Sequence, residues 1–121
     1  MNGKQLARAV YKAFDAKDLE AFGNYLTEDC WYAFSNWPAM EGREAALYGV
    51  SAFFKDIKAT SHTIQDVWED ADTIILRIVV VYHRKDGQLV SLPCVNIWER
   101  VGDQISDFRI YMDVNPVFVD V

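Results

Sequence analysis

The segment Thr73–His83, TIILRIVVVYH, restricts the fold more than any other stretch of the chain. Side chains alternate between the two faces of a strand, and here both sets are apolar. Ile75, Val79 and Val81 fall on one side, and Ile74, Leu76, Ile78 and Val80 on the other. Such a strand is covered on both faces. Three further extended segments accompany it, Thr60–Glu69, Leu89–Arg100 and Gln104–Asp113, separated by DAD, RKDG and VGD. These are turn-formers of hairpin length, so the four segments read as an antiparallel meander.

The first half of the chain has a different period. Leu6, Val10 and Phe14, with Ala7 and Tyr11 beside them, predict an amphipathic helix over Gly3–Ala16. KDLEAFGNYL offers Asp18 as an N-cap and places Leu19, Phe22 and Leu26 on one stripe of a second, short helix. CWYAFS then reads as a strand and NWPAMEG as a loop. REAALYGVSAFFKDI returns to helical spacing through Ala46, Val50, Phe53 and Ile57. Helices first and strands afterwards give an α+β class, with three N-terminal helices packed in the concave face of a curved, mainly antiparallel sheet. The expected organisation is one domain over residues 1–121. Because three helices cover one face only, the second face of the apolar strand is expected to be buried by another copy, most simply in a twofold homodimer.

Composition narrows the functional classes. Hydrophobic residues make up 51% of the 121, which suits a compact interior. A formal charge of -6 without a run of Lys or Arg excludes nucleic acid and anionic membrane as expected partners, since both require a basic footprint. The opening MNGKQLARAVYKAF carries polar residues at helical spacing and reads as neither signal peptide nor anchor, so the cytoplasm is the expected location. Cys30 and Cys94 lack C-x-x-C spacing and are expected as buried free thiols. His62 and His83 form no H-x-H or H-E-x-x-H pattern, so no metal site is expected.

Three helices, a sheet wrapped round them, NWPAMEG before the third helix and a closing I-x-x-x-R-x-Y-x-D (Ile105, Arg109, Tyr111, Asp113) resemble the SnoaL-like branch of the nuclear transport factor two-like superfamily. The resemblance spans essentially the whole chain. It implies a cone-shaped α/β barrel enclosing one deep, mostly apolar pocket for a small apolar molecule. The fold hosts isomerases, polyketide cyclases, dehydratases, epoxide hydrolases and non-catalytic binding modules, so it does not by itself fix the activity. The implied reading is a cofactor-free proton-transfer enzyme, isomerase- or cyclase-like, with a non-catalytic carrier or sensor as the alternative.

The pattern of limonene-epoxide-hydrolase-like members can be laid on the chain residue by residue. Their catalytic arginine falls on Arg77 and their asparagine on Asn36, whereas their tyrosine becomes Phe34 and their two aspartates become Val79 and Ile110. On that register the carboxylates that activate water are missing, which sets epoxide hydrolysis below the other readings. Asp113 keeps the family's common final acid.

On the same register Arg77 points into the pocket, either as a clamp for an anionic ligand or oxyanion or in an ion pair with Asp66 or Asp113. His62 resembles a histidine found in this strand in several SnoaL-like subgroups. Its alternatives are a general base and a hydrogen-bonded residue at the pocket rim. Asp113 is either a pocket acid facing inward or an outward group bonding the backbone around Val114–Pro116, and pleat alternation favours the outward position. Asn96 is a ligand hook or a core hydrogen bond, and Asn36 a ligand contact or a loop cap. Tyr32, Phe34, Trp37, Phe54, Val79, Cys94, Phe108, Ile110 and Met112 complete the expected lining.

Overall fold

A computed structural model describes residues 1–119. Helices α1 (Gly3–Asp15) and α2 (Leu19–Asn24) precede strand β1 (Leu26–Phe34). The two-residue β2 (Met40–Glu41) and helix α3 (Arg43–Asp56) follow. The remainder is β3 (Ala59–Asp70), β4 (Thr73–His83), β5 (Leu89–Val101), β6 (Gln104–Tyr111) and a short α4 (Asn115–Phe118). The six strands form one sheet in the order β2-β1-β6-β5-β4-β3. Only β1 and β6 run parallel; every other pair is antiparallel. The sheet is open, with β2 and β3 at its edges. This is the α+β arrangement that the sequence predicts.

Local chemistry explains where the helices begin and end. Asn2 caps α1 through a reciprocal box: its side chain accepts from the Gln5 amide at 2.9 Å, and its own N–H donates to Gln5 Oε1 at 2.9 Å. After Asp15 the chain turns at Lys17, which adopts φ 57. Its ammonium donates to the Ile57 carbonyl at 3.3 Å, at the open end of α3. The second helix is shorter than its apolar stripe suggests. The Tyr25 carbonyl instead accepts from the Ile105 amide at 2.7 Å, so strand pairing captures the chain at Leu26, four residues before the expected strand. β2 and α4 are not legible as elements at the sequence level, since each is only a turn or a bridge in length.

Core packing follows the pleat. Ile74, Leu76, Ile78, Val80 and Tyr82 of β4 are buried against the helices, as are Cys94, Asn96 and Trp98 of β5 and Ile105, Phe108 and Ile110 of β6. The other face of β4 carries Ile75, Arg77, Val79 and Val81, and no helix covers it. Ile75 is 37% exposed and the neighbouring Val95 of β5 is 38% exposed. No helix among the described residues is long and apolar enough to cross a membrane.

Candidate functional site

Inside the cup formed by the helices and the inward face of the sheet lies a cavity of about 260 Å³. α1 contributes Tyr11 and Phe14, and α3 contributes Gly49, Val50 and Phe53. Trp37, Pro38 and Met40 close one side, and β3 to β6 supply His62, Val80, Tyr82, Cys94 and Ile110. Met40 packs directly over Gly49: a methyl group on that glycine would lie 2.0 Å from the Met40 sulfur. Among the described residues, neither Lys, Arg, Asp nor Glu lines this space.

His62 is the lining residue that a carboxylate orients. Its Nδ1 lies 2.6 Å from Asp15 Oδ1, and its backbone N–H donates to Asp15 Oδ2 at 2.8 Å. The Thr60 hydroxyl donates to Asp15 Oδ1 at 2.8 Å. With an ionised carboxylate as acceptor, the imidazole carries its proton on Nδ1 and keeps Nε2 as a free acceptor. The ring is gripped on two further sides. Tyr11 stacks on it at 4.1 Å with the planes 19° apart, and Phe14 meets it edge-on at 5.3 Å. The His62 side chain is 7% exposed.

Tyr11 is held in turn from below. Buried Asn96 directs its amide at the Tyr11 hydroxyl, and the Cys94 thiol lies 3.4 Å from Asn96 Oδ1. Burial, followed by the nearby Cys94 and Tyr32, pushes the Tyr11 phenol well above its ordinary range, outweighing the Asn96 hydrogen bond that lowers it. Burial first, then Tyr82 and Cys94, acts the same way on Tyr32. Tyr82 is likewise raised by burial, then by Cys94 and Asp15, and burial pushes the Cys94 thiol up to about 12. At neutral pH this wall is therefore a set of uncharged donors. Among the described residues the Tyr82 hydroxyl donates to the Met112 sulfur alone, at 3.3 Å.

Several sequence expectations need correction. Arg77 does not face the cavity. Unbroken pairing of β4 with β5 sets it opposite Val95, on the outer face, where its side chain is 59% exposed, forks onto Asp66 and lies over Trp68. Val79, two residues on, shares that outer face for the same reason. Of the two alternatives for Asp113 the structure shows the favoured outward one: it is exposed and accepts from the Asn115 amide at 3.0 Å, capping the tail, and its role as a pocket acid falls away. Asn36 is exposed on its loop, where it accepts from the Ser35 hydroxyl at 3.3 Å. Phe54 packs edge-on against Phe14 behind the cavity wall. Asn96 and Phe108 lie beneath the lining, within the core. Tyr32, Phe34, Trp37, Cys94, Ile110 and Met112 do line the space. Residue-level reading missed Asp15, Tyr11 and Tyr82. One signal was available for Asp15: a carboxylate in the last turn of a helix faces the negative end of the dipole and so calls for another partner.

Solved structures of similar fold include a ketosteroid isomerase-like protein from Catenulispora acidiphila bound to trimethylamine, at TM-score 0.85 and 19% identity. That match covers 93% of this chain and 88% of the other. An M. tuberculosis LEH-like epoxide hydrolase matches with TM-score 0.81 and 15% identity over 94% and 84% of the two chains. A putative SnoaL-like polyketide cyclase from Jannaschia sp. gives 0.77 and 18% over 95% and 90%. Identities at this level speak for the fold alone. Comparison with curated protein sequences finds no significant relative. The SnoaL-like domain model matches residues 7–108, most of the chain and nearly all of the cavity wall, and the protein belongs to the SnoaL-like domain family.

Proposed function

We propose that this protein is a cofactor-free proton-transfer enzyme, isomerase- or cyclase-like, acting on a compact and largely apolar molecule. One observation carries the reading: an imidazole oriented by a fixed carboxylate sits in the wall of an otherwise uncharged cavity. A base of this kind removes a proton at Nε2, and Asp15 stabilises the imidazolium that forms. Neutral Tyr32 and Tyr82 stand ready to receive developing negative charge. Epoxide hydrolysis fits less well, because among the described residues no carboxylate lines the cavity to activate water.

A carrier or sensor is the second reading. It is favoured by a lining that, among the described residues, holds neither Lys, Arg, Asp nor Glu. The two are separated by deuterium exchange into the acidic C–H positions of small ketones, followed by NMR. The enzyme reading expects accelerated exchange that falls by about 10²–10⁴-fold in Asp15→Asn and His62→Ala. Saturable binding without exchange, or exchange indifferent to both substitutions, overturns it.

We further propose a homodimer formed through Ile75, Val79, Val81, Val95 and Ile97 on the outer sheet face. A reduced cytoplasm suits the two unpaired cysteines. Sedimentation at the mass of one chain would refute the dimer.

A further inference from the structure

The proposed enzyme needs a substrate, and the cavity's polarity is asymmetric enough to select one. The free His62 Nε2 is an acceptor, whereas the tyrosine wall offers donors with weak or no protein acceptors. Tyr82 has only a thioether sulfur, a poor acceptor, and among the described residues Tyr32 makes no hydrogen bond through its hydroxyl. Tyr11 receives a hydrogen bond from Asn96 and so keeps its own proton to give. The rest of the lining combines the aromatic Phe14, Phe34, Trp37 and Phe53 with aliphatic and sulfur-bearing side chains such as Val50, Val80, Ile110 and Met112. At about 260 Å³ the space is slightly below the ~300–1,000 Å³ typical of small-molecule sites, which favours one ring over several.

We infer that the cavity takes a compact neutral hydroxyarene, its O–H on His62 Nε2 and a second, acceptor oxygen across the ring on the Tyr32 and Tyr82 hydroxyls. This rests on the reading of His62–Asp15 as a base. The step it implies is balanced within the complex. The ligand O–H bond breaks, Nε2–H forms, and the resulting aryloxide faces an imidazolium whose charge Asp15 already offsets. An aliphatic alcohol is too weak an acid to give up its proton here. A carboxylic acid enters as an anion and finds no Lys or Arg in the lining. An aromatic ring, by contrast, finds the rings of Phe14, Phe34, Trp37 and Phe53 to pack against.

The test follows 4-nitrophenol by absorbance over a pH series with the full chain, and 4-nitroanisole, its O-methyl ether, as control. An apolar pocket lacking a base would raise the pH at which a bound phenol ionises. The inference expects the opposite: ionisation at least one pH unit lower than in water, a tenfold change in the ionised ratio. The ether should bind at least tenfold more weakly. Asp15→Asn should abolish the ionisation shift. Tyr82→Phe, a milder change, should weaken binding several-fold with little effect on melting temperature. Equal binding of phenol and ether, or ionisation unchanged or moved upward, overturns the assignment. If that happens while ketone exchange still depends on Asp15, the hydroxyarene falls and the base stands. An ionisation shift that survives Asp15→Asn removes both.

Discussion

The two faces of the sheet each set a basic side chain against a carboxylate, with different consequences. On the outer face Arg77 pairs with Asp66 beside Trp68, and Arg109 pairs with Asp107 at 2.8 Å beside Trp31. In the single chain both pairs are exposed to solvent. On the inner face His62 and Asp15 make a comparable contact at 2.6 Å, but against aromatic rings and beneath a helix. Water screens the first kind of pair and leaves it worth little. Exclusion of water strengthens the second and fixes its geometry. A charged residue in an apolar strand is thus a poor guide to the site, whereas a less conspicuous histidine with a held partner is a better one.

Adjacent residues of β4 offer the widest test of that contrast. Leu76→Ala should cost about 2–5 kcal/mol in chemical denaturation, because its fully buried side chain leaves a cavity. Ile75→Ala should cost less than about 1 kcal/mol to the monomer and act instead on self-association, visible by sedimentation. Equal losses in monomer stability would break the comparison between faces.

A smaller effect, confined to the inner face, is expected in alkali. Burial holds the Cys94 thiol protonated to about 12, against 9.0 for a free thiol, and Tyr11, Tyr32 and Tyr82 are raised in the same sense. The folded protein then binds more protons than the unfolded chain once the pH passes about 9, so stability is complete below that point and declines above it. Melting temperatures recorded from pH 7 to 11 should fall in the wild type, and Cys94→Ala should flatten the first part of that fall. A flat wild-type profile would mean that these hydroxyls and the thiol are hydrated.

Smallest of all is the expected effect of Arg77→Ala: at most about 1 kcal/mol in stability and no change in ligand affinity or turnover. A large loss of turnover would return the guanidinium to the site and undo the assignment of faces.

Much of the fold is legible because period and turn chemistry agree: apolar residues at helical spacing up to Ile57, then four extended runs with short turns between them. The orientation of β4 is not legible from its own pattern, since either apolar set could face inward. Its neighbour resolves the ambiguity. The RKDG turn pairs His83 with Leu89, which puts Arg77 opposite Val95 and Leu76 opposite Asn96. If Cys94, Asn96 and Trp98 face the core, Arg77 cannot. The site's central pair was hidden for another reason. Asp15 and His62 are 47 residues apart and meet only because α1 lies across β3, a packing relation that no local pattern encodes.

Gly49 gives the cavity an adjustable dimension. A helix interior ordinarily favours alanine over glycine by about 1 kcal/mol, yet here a single methyl would drive the flexible Met40 thioether, itself part of the cavity wall, out of its seat. Capacity is therefore metered by one hydrogen atom at a position the backbone could easily fill. Descendants of this chain could trade a larger guest for a smaller one there without disturbing the proton-handling machinery on the opposite wall.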